Sequence, residues 1–325
     1  MRIVSLLPGT TEIVCALGLG DHLVAVTHEC DYPPEVRGLP VVTRSMLEQD
    51  ESSSAEIDAA IREHARNDRS IYQLDMALIE ALQPDVILRQ ALCDVCAVPL
   101  RQAEAAVASG TAQVLSFEPT SLAGIFGSIK AIGRALGAPE RAEALVDELA
   151  ARVERVRARA AQATYRPRVA CLEWLDPVFG PGHWTPELVS IAGGQPVLGV
   201  AGERSQRVSW TDVIACAPEV IIAMPCGFTL ERAVAEANAI LPQRAGWYAL
   251  PAVRTGNVFA VDGNTYFSRP GPRVVDSLEL LAELIHPDLF AGWGRSMRLL
   301  RCVNRGRCCC SAPIRGRMCR CQSQS

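Results

Sequence analysis

The sequence predicts an α/β protein made of two Rossmann-like lobes with parallel sheets, joined by a long α-helix. Two patterns that each occur twice lead to this prediction: a strand–loop–helix order that ends in glycine, and a Pro-Asp/Glu-Val-Ile segment. The third observation is a long helical pattern between the copies. The length of 325 residues also exceeds the usual size of a single hydrophobic core.

The first pattern opens each half of the chain. Residues 2–8, Arg-Ile-Val-Ser-Leu-Leu-Pro, predict a strand that leads into an amphipathic helix ending at Gly18. Residues 168–174, Arg-Val-Ala-Cys-Leu-Glu-Trp, lead through a loop rich in Pro and Gly into a helix that ends at 193–194. Each half therefore begins with a βα unit.

The second pattern is typical of buried parallel strands. Residues 81–88 and 215–222 each predict a helix end before Pro, followed by a short β-branched run. The first half is longer by roughly thirty residues, which indicates an insertion. Within it, Ser53-Ser-Ala-Glu56 is a capping-box sequence, so we expect a surface helix there.

Each half closes with a further strand, at 112–117 and 257–261. Between them, residues 121–159 have a helical pattern that Gly137-Ala-Pro139 interrupts, which predicts a helix, a break and a longer helix. The domain boundaries that follow are an N-terminal lobe at 1–118, a linking helix at 119–165, a C-terminal lobe at 166–290 and a disordered, basic, Cys-rich tail at 291–325.

Charge and hydropathy limit the classes of partner. The net charge is −4, and the tail at 291–325 contains many Arg and no acidic residue, so the rest of the chain is strongly acidic. An acidic surface argues against nucleic acid as a partner. No apolar run is long enough for a membrane span, and no export signal precedes the first strand, so we expect a cytoplasmic protein that is not embedded in a membrane.

Ligands of open α/β sheets bind beyond the carboxyl ends of the strands. The loops predicted there carry aromatic and soft side chains with few charges, which suits a large flat organic ligand. The candidate ligand-binding residues are Pro8, Thr10, His28, Tyr32, Cys93, His183, Trp184, Cys226, Phe228, Tyr266, Phe267 and Arg269.

Four cysteines of these loops are candidate metal ligands. Cys93 and Cys96 form a C-x-x-C pair, to which Cys30 and Cys226 could add thiolates for zinc or an iron–sulfur cluster. Free cysteines are also among the most often buried residues, so inert thiols are the alternative. No Gly-rich phosphate loop and no nucleophile elbow is present.

The chain resembles the iron-siderophore and cobalamin periplasmic-binding family, most closely its cobalamin-binding branch. The resemblance rests on residues 2–18, 30–34 (Cys-Asp-Tyr-Pro-Pro), 82–87 and 217–221, and it covers about residues 1–288. It implies two lobes with a helical linker, little closure on binding and a corrinoid in the cleft, with Tyr32 at the ligand.

The same resemblance implies an ABC permease as a possible partner, contacted by a surface carboxylate of each lobe. This chain has Ala77 and Thr211 at those positions, with Asp75 and Asp212 nearby.

Three hypotheses follow. The first is a binding protein, not an enzyme, that holds a corrinoid or metal chelate between the lobes. The second is a cytosolic metal or iron–sulfur protein with a redox or enzymatic role that uses the cleft cysteines. The third is a periplasmic transport protein, as is usual in the family that the chain resembles, with an export signal encoded upstream of Met1.

Overall fold

The computed structural model describes residues 1–47, 52–67, 70–90, 112–293 and 301–302. The strands are β1 (Ile3–Ser5), β2 (Leu23–Ala25), β3 (Thr43–Ser45), β4 (Tyr72–Leu74), β5 (Val86–Gln90), β6 (Gln113–Phe117), β7 (Arg168–Leu172), β8 (Trp174–Leu175), β9 (Val178–Gly180), β10 (Gln195–Pro196), β11 (Gln206–Arg207), β12 (Val220–Ala223), β13 (Val258–Ala260) and β14 (Arg301–Cys302). The α-helices are α1 (Pro8–Ala16), α2 (Ser54–Arg66), α3 (Met76–Leu82), α4 (Leu122–Ala135), α5 (Pro139–Ala160), α6 (Thr185–Ile191), α7 (Trp210–Ala215), α8 (Leu230–Ile240), α9 (Pro251–Thr255), α10 (Val274–Ile285) and α11 (Pro287–Phe290).

The first lobe is built on a four-stranded sheet in the order β2-β1-β5-β6. All three pairings are parallel, and in the central one Val4 lies opposite Ile87. Both side chains are fully buried, because helices and loops cover both faces of a parallel sheet. The repeats therefore predicted the lobe's core strands correctly.

The second lobe contains a separate sheet in the order β10-β7-β12-β13-β14. Its first four strands are parallel, whereas β14 pairs antiparallel with β13. The two-residue β14 lies within the region 291–325 and is an exception to the predicted disorder of that region. A sheet edge offers unpaired N–H and C=O groups, and a short segment can pair with them regardless of its composition.

Two small antiparallel sheets were not predicted. One pairs β3 with β4, and the other has the order β11-β9-β8. The second replaces most of the loop expected after β7, because β8 and β9 form a tight hairpin between Trp174 and Gly180. This hairpin extends the second lobe towards the first.

The linker has the predicted helix–break–helix form. Gly137 adopts a left-handed φ of +72° between α4 and α5, a conformation that glycine reaches without strain. Buried side chains of both helices, including Ile129 and Val146, belong to one hydrophobic cluster that also contains Ile3 of the first sheet and Val169 of the second. The linker thus joins the cores of the two lobes.

Among the described residues, none of the helices combines the length and the apolar character that a bilayer-spanning segment needs.

Candidate functional site

The carboxyl ends of β1, β2, β7, β12 and β13 lie where the two lobes meet. The first point of contact is a set of four charged side chains, here called the ionic cluster: Glu12 and Asp31 of the first lobe with Arg269 and Arg273 of the second. Glu12 lies on α1, Asp31 follows β2, and the two arginines lie between β13 and α10. The cluster therefore ties the lobes together at the base of the cleft.

The ionic cluster is compact, and its members are shielded from water except for Asp31, which is 40% exposed. The Nη1 atom of Arg269 lies 2.5 Å from Asp31 Oδ1 and 3.4 Å from Glu12 Oε1. Arg273 donates from Nε to Glu12 Oε2 over 3.0 Å and from Nη2 to Oε1 over 2.5 Å, which is a bidentate pair. The side chain of Glu12 is 2% exposed and that of Arg269 is 3% exposed. Two cations thus face two anions, so the buried charges balance.

Two glycines let the lobe backbones approach closely beside this cluster. A Cβ on Gly9 would lie 3.0 Å from the carbonyl oxygen of Pro270, and one on Gly271 would lie 3.2 Å from the carbonyl oxygen of Gly9. Larger residues would separate α1 from the segment that carries the arginines. Because neither glycine has a Cβ, the two backbones can approach closely enough for Glu12 to reach Arg273.

Tyr32 lies at the edge of the cluster and remains 45% exposed. The guanidinium carbon of Arg273 lies 4.1 Å from the centroid of its ring, in cation–π contact. The same carbon lies 5.8 Å from the ring of Tyr266, a half-buried side chain whose pKa is raised by burial. The exposed ring of Tyr32 therefore lies beside charges that are paired within the ionic cluster. Such an arrangement suits a flat organic ligand.

A second contact between the lobes is made by α2, and we call it the α2 bridge: Ser52, Ser54 and Asp58 with Trp174, Arg207, Arg232 and Glu236 of the second lobe. The capping box of Ser53 and Glu56 forms as predicted. The amino end of the helix, however, lies against the other lobe, whereas the sequence predicts only a surface helix.

Three contacts of the α2 bridge satisfy backbone polar groups at the start of the helix. The N–H of Ser54 donates to Glu236 Oε1 over 2.8 Å, and its carbonyl accepts from Trp174 Nε1 over 3.0 Å. Arg232 donates to the carbonyl of Ser52 over 2.7 Å. A free N–H at a helix start needs such an acceptor, and an anion is favoured there.

Replacing Glu236 by alanine is expected to release α2 from the second lobe. A hydrogen bond to a charged group contributes about 1.5 kcal/mol, so amide hydrogen exchange within α2 should accelerate about tenfold. Peptide-resolved exchange mass spectrometry measures this rate. Glu231→Ala, an exposed change on the same helix α8, is the control and should leave the exchange of α2 unchanged. Equal rates in the two variants would show that Glu236 does not hold the bridge.

Six of the predicted ligand-binding residues are buried among protein atoms: Pro8, Thr10, Trp184, Phe228, Phe267 and Arg269. Thr10 shares a hydrogen bond with the hydroxyl of Ser5 and donates to the carbonyl of Leu7. Phe228 packs edge-on against Trp174, with ring centroids 5.1 Å apart. These contacts shape the walls of the cleft, and direct ligand contact by the six stays a prediction.

The two predicted histidines differ in their surroundings. His28 is exposed, and its Nδ1 lies 2.7 Å from the hydroxyl of Thr43. His183 is half-buried and has a left-handed φ of 53°, and burial lowers the pKa of its imidazole, with a further contribution from the charge of Arg204. His183 therefore carries a neutral ring near neutral pH. The structure does not bring the two side chains into contact with each other.

The four candidate metal-ligand cysteines differ in their surroundings. Cys30 is buried, with its Sγ 3.1 Å from the hydroxyls of Thr11 and Thr27, and burial raises the pKa of its thiol. A raised pKa opposes the thiolate that metal binding requires. Cys226 is exposed, while Cys93 and Cys96 lie outside the described residues. Within the described ranges, no three His, Cys, Asp or Glu side chains are grouped as metal ligands.

Sequence reasoning missed Glu12, Arg273 and the residues of the α2 bridge. Arg273 lies four residues after the predicted ligand-binding residue Arg269, and Glu12 lies within the predicted helix that ends at Gly18. The α2 bridge has no sequence signal, since its partners are more than a hundred residues apart in the chain.

Two α/β lobes that are joined by a helical linker and touch through the loops at their sheet ends have the architecture of a solute-binding protein. The chain matches the family described as periplasmic binding protein over residues 3–265, and it belongs to this family.

Individual relatives agree with this assignment. The chain is 27% identical over 279 residues to the vitamin B12-binding protein of Vibrio cholerae, with 86% of each chain covered. It is 25% identical to the uncharacterized ABC transporter substrate-binding lipoprotein YvrC of Bacillus subtilis, with 89% of this chain and 81% of YvrC covered. The periplasmic heme-binding protein RhuT from Roseiflexus sp. RS-1 superimposes with a TM-score of 0.65 at 26% identity, over 88% of this chain and 98% of RhuT.

The family assignment confirms the predicted fold and the class of binding protein, and it gives no support to a cytosolic redox enzyme. The predicted cytoplasmic location is wrong, because the family and these relatives are periplasmic or lipid-anchored. That prediction relied on the residues before the first strand, and these residues do not determine the location.

Proposed function

We propose that this chain captures a corrinoid in its inter-lobe cleft and delivers it to an ABC permease, without catalysing a reaction. The vitamin B12-binding relatives support this class of ligand. Heme is the competing ligand, because RhuT is named as a heme-binding protein. The cobalt would arrive as part of the corrinoid and needs no metal site of the protein's own.

One observation favours a corrinoid over heme: the ionic cluster is already neutral. Heme carries two carboxylates, which arginines bind in bidentate fashion. Both Arg269 and Arg273 are instead paired with Glu12 and Asp31. A corrinoid is fringed with neutral amides, which donate and accept hydrogen bonds without a counter-charge. The neutral, aromatic edge of this cleft therefore suits the corrinoid better.

In this proposal the ligand contacts Tyr32 and Tyr266 beside the ionic cluster. It also contacts His28 of the first lobe and His183 of the second. The resemblance of residues 30–34 to the cobalamin-binding branch supports a role for Tyr32 at the ligand. The predicted residues Trp184, Phe228 and Phe267 are buried and offer the ligand little surface. Asp75 is the N-cap of α3, and Asp212 completes the capping box of Ser209 at the start of α7 in the other lobe. In the sequence they lie close to Ala77 and Thr211, the positions implied for permease contact.

Purified protein titrated with cyanocobalamin and, separately, with hemin tests the proposal. We expect saturable binding of cyanocobalamin at one site, seen as a change in its visible spectrum and as a rise in the unfolding temperature of the protein. Hemin should bind more weakly. Tighter binding of hemin would assign the cleft to porphyrins, and no binding of either ligand would refute the proposal.

Tyr32→Ala is expected to weaken cyanocobalamin binding about 30-fold, because about 2 kcal/mol of aromatic burial is lost from the complex. Isothermal titration measures the change in Kd. Tyr248→Ala is the matched control, since Tyr248 is 46% exposed, as Tyr32 is at 45%, but lies before α9 at the opposite end of the second sheet. A loss of similar size in both variants would show that Tyr32 has no specific role.

A further inference from the structure

We propose that Arg273 is a positioning residue: held by Glu12 of the opposite lobe, it fixes the ring of Tyr32 in the orientation that receives the ligand. The inference deepens the proposed function where it concerns affinity, while its effect on Tyr32 is independent of any ligand. Its basis is a chain of contacts from Glu12 through Arg273 to Tyr32 that crosses from the first lobe to the second and back.

The first step is the fixation of the guanidinium. Arg273 forms a bidentate pair with Glu12, which is 2% exposed, so the plane of the guanidinium is set by two hydrogen bonds in a site with little water. Burial alone would lower the pKa of Arg273, but the hydrogen bonds and the charge of Glu12 raise it above its ordinary value. The cation is therefore permanent and its geometry is constrained.

The second step is the contact with the ring. At 4.1 Å from its centroid, the guanidinium covers part of the Tyr32 ring and leaves 45% of the residue exposed. An exposed tyrosine otherwise samples several rotamers, and binding must restrict them at an entropic cost. A stacked arginine restricts the ring before the ligand arrives. Tyr32 is thus preorganised by a residue of the other lobe.

The third step is the backbone beneath the ring. Arg269 contacts the side chain of Asp31 at 2.5 Å and donates to the carbonyl of Glu29 over 3.2 Å. It therefore holds the loop that carries Tyr32, while Arg273 holds the ring itself. Both arginines come from the second lobe, so the position of a first-lobe ligand contact depends on how the lobes are joined.

Arg152 offers a matched control, because it pairs with the helix α10 that Arg273 precedes. It pairs with Asp276 and Glu279 of α10 from the linker helix α5, and its side chain is 22% exposed against 13% for Arg273. Losing Arg152 removes an ion-pair network of similar burial but leaves the contacts of Tyr32 intact. A general loss of stability would affect both variants, whereas positioning affects only one.

The ligand-free test uses protein labelled with 3-fluorotyrosine. The chain has five tyrosines, and the ¹⁹F resonance of Tyr32 is the one that disappears in Tyr32→Phe. We expect Arg273→Lys to shift and narrow this resonance, because lysine keeps the charge but cannot pair in bidentate fashion and stack at once. Arg152→Lys should leave it unchanged. A Tyr32 resonance that is unaltered in Arg273→Lys, or altered equally in both variants, would overturn the inference.

The ligand test is a double-mutant cycle on cyanocobalamin affinity. Arg273→Lys should weaken binding about fivefold in the wild-type background and less than about twofold when Tyr32 is already alanine, since the two residues act together. An equal loss in both backgrounds would contradict the inference. Failure of the wild type to bind any corrinoid would instead count against the proposed function, and the ¹⁹F result would still decide the role of Arg273.

Discussion

Replacing Glu12 by glutamine is expected to lower the free energy of unfolding by about 3 to 5 kcal/mol, the usual cost of removing one partner from a buried ion pair. Glutamine has nearly the same shape as glutamate, so the core is not opened. The loss arises because Arg269 and Arg273 keep their charges at a buried site that has lost one of the two carboxylates paired with them. Urea denaturation followed by tryptophan fluorescence measures the change.

Glu154→Gln is the control for this experiment. Glu154 is 67% exposed and pairs with Arg157 one turn away on α5. An exposed pair of this kind contributes less than about 0.5 kcal/mol. If the two variants lost equal stability, the ionic cluster would not be the element that joins the lobes.

The second large effect is expected for Gly263→Ala, which should destabilise the protein by about 3 kcal/mol through steric overlap. An added Cβ would lie 2.1 Å from the carbonyl oxygen of Pro225 and 2.8 Å from that of Met224. Gly263 begins the turn that carries Tyr266, and Pro225 precedes Cys226. The substitution therefore pushes apart the loops that follow β13 and β12, so cyanocobalamin affinity should fall as well.

Gly127→Ala distinguishes this overlap from a general effect of adding a methyl group. Gly127 lies within α4, and nothing lies within 4 Å of its Cβ position. Alanine is the better helix former by about 1 kcal/mol, so this variant should be more stable than the wild type. A Gly263→Ala protein as stable as the wild type would mean that the loops after β12 and β13 separate without cost.

The local parts of the fold were predictable from the sequence. Strands such as β1 and β12 are short apolar runs next to Pro or Gly, and the break between α4 and α5 follows from Gly137 and Pro139. These signals lie within a few residues of the structure that they specify. The β8–β9 hairpin was missed because Asp176 and Pro177 were interpreted as part of a longer loop.

The site was predictable only to the level of its loops. The rule for parallel sheets selected the segments that contain Tyr32, Tyr266 and Arg269, and residues 91–111, with Cys93 and Cys96, lie outside the described ranges. It could not rank the residues within a segment. Burial separates Phe267 at 5% exposure from Tyr32 at 45%, and burial depends on the packing of both lobes.

The sequence by itself determined two α/β lobes, a rigid linker and a capped helix in the insertion, because each depends on residues close together in the chain. Only the tertiary structure decided that Glu12 meets Arg273 across 261 positions and that α2 lies on the opposite lobe. The sequence around a charged side chain does not indicate which distant residue it will pair with. Pairing at such distances is selected by which oppositely charged groups are buried together when the lobes pack, and only the folded chain contains that information.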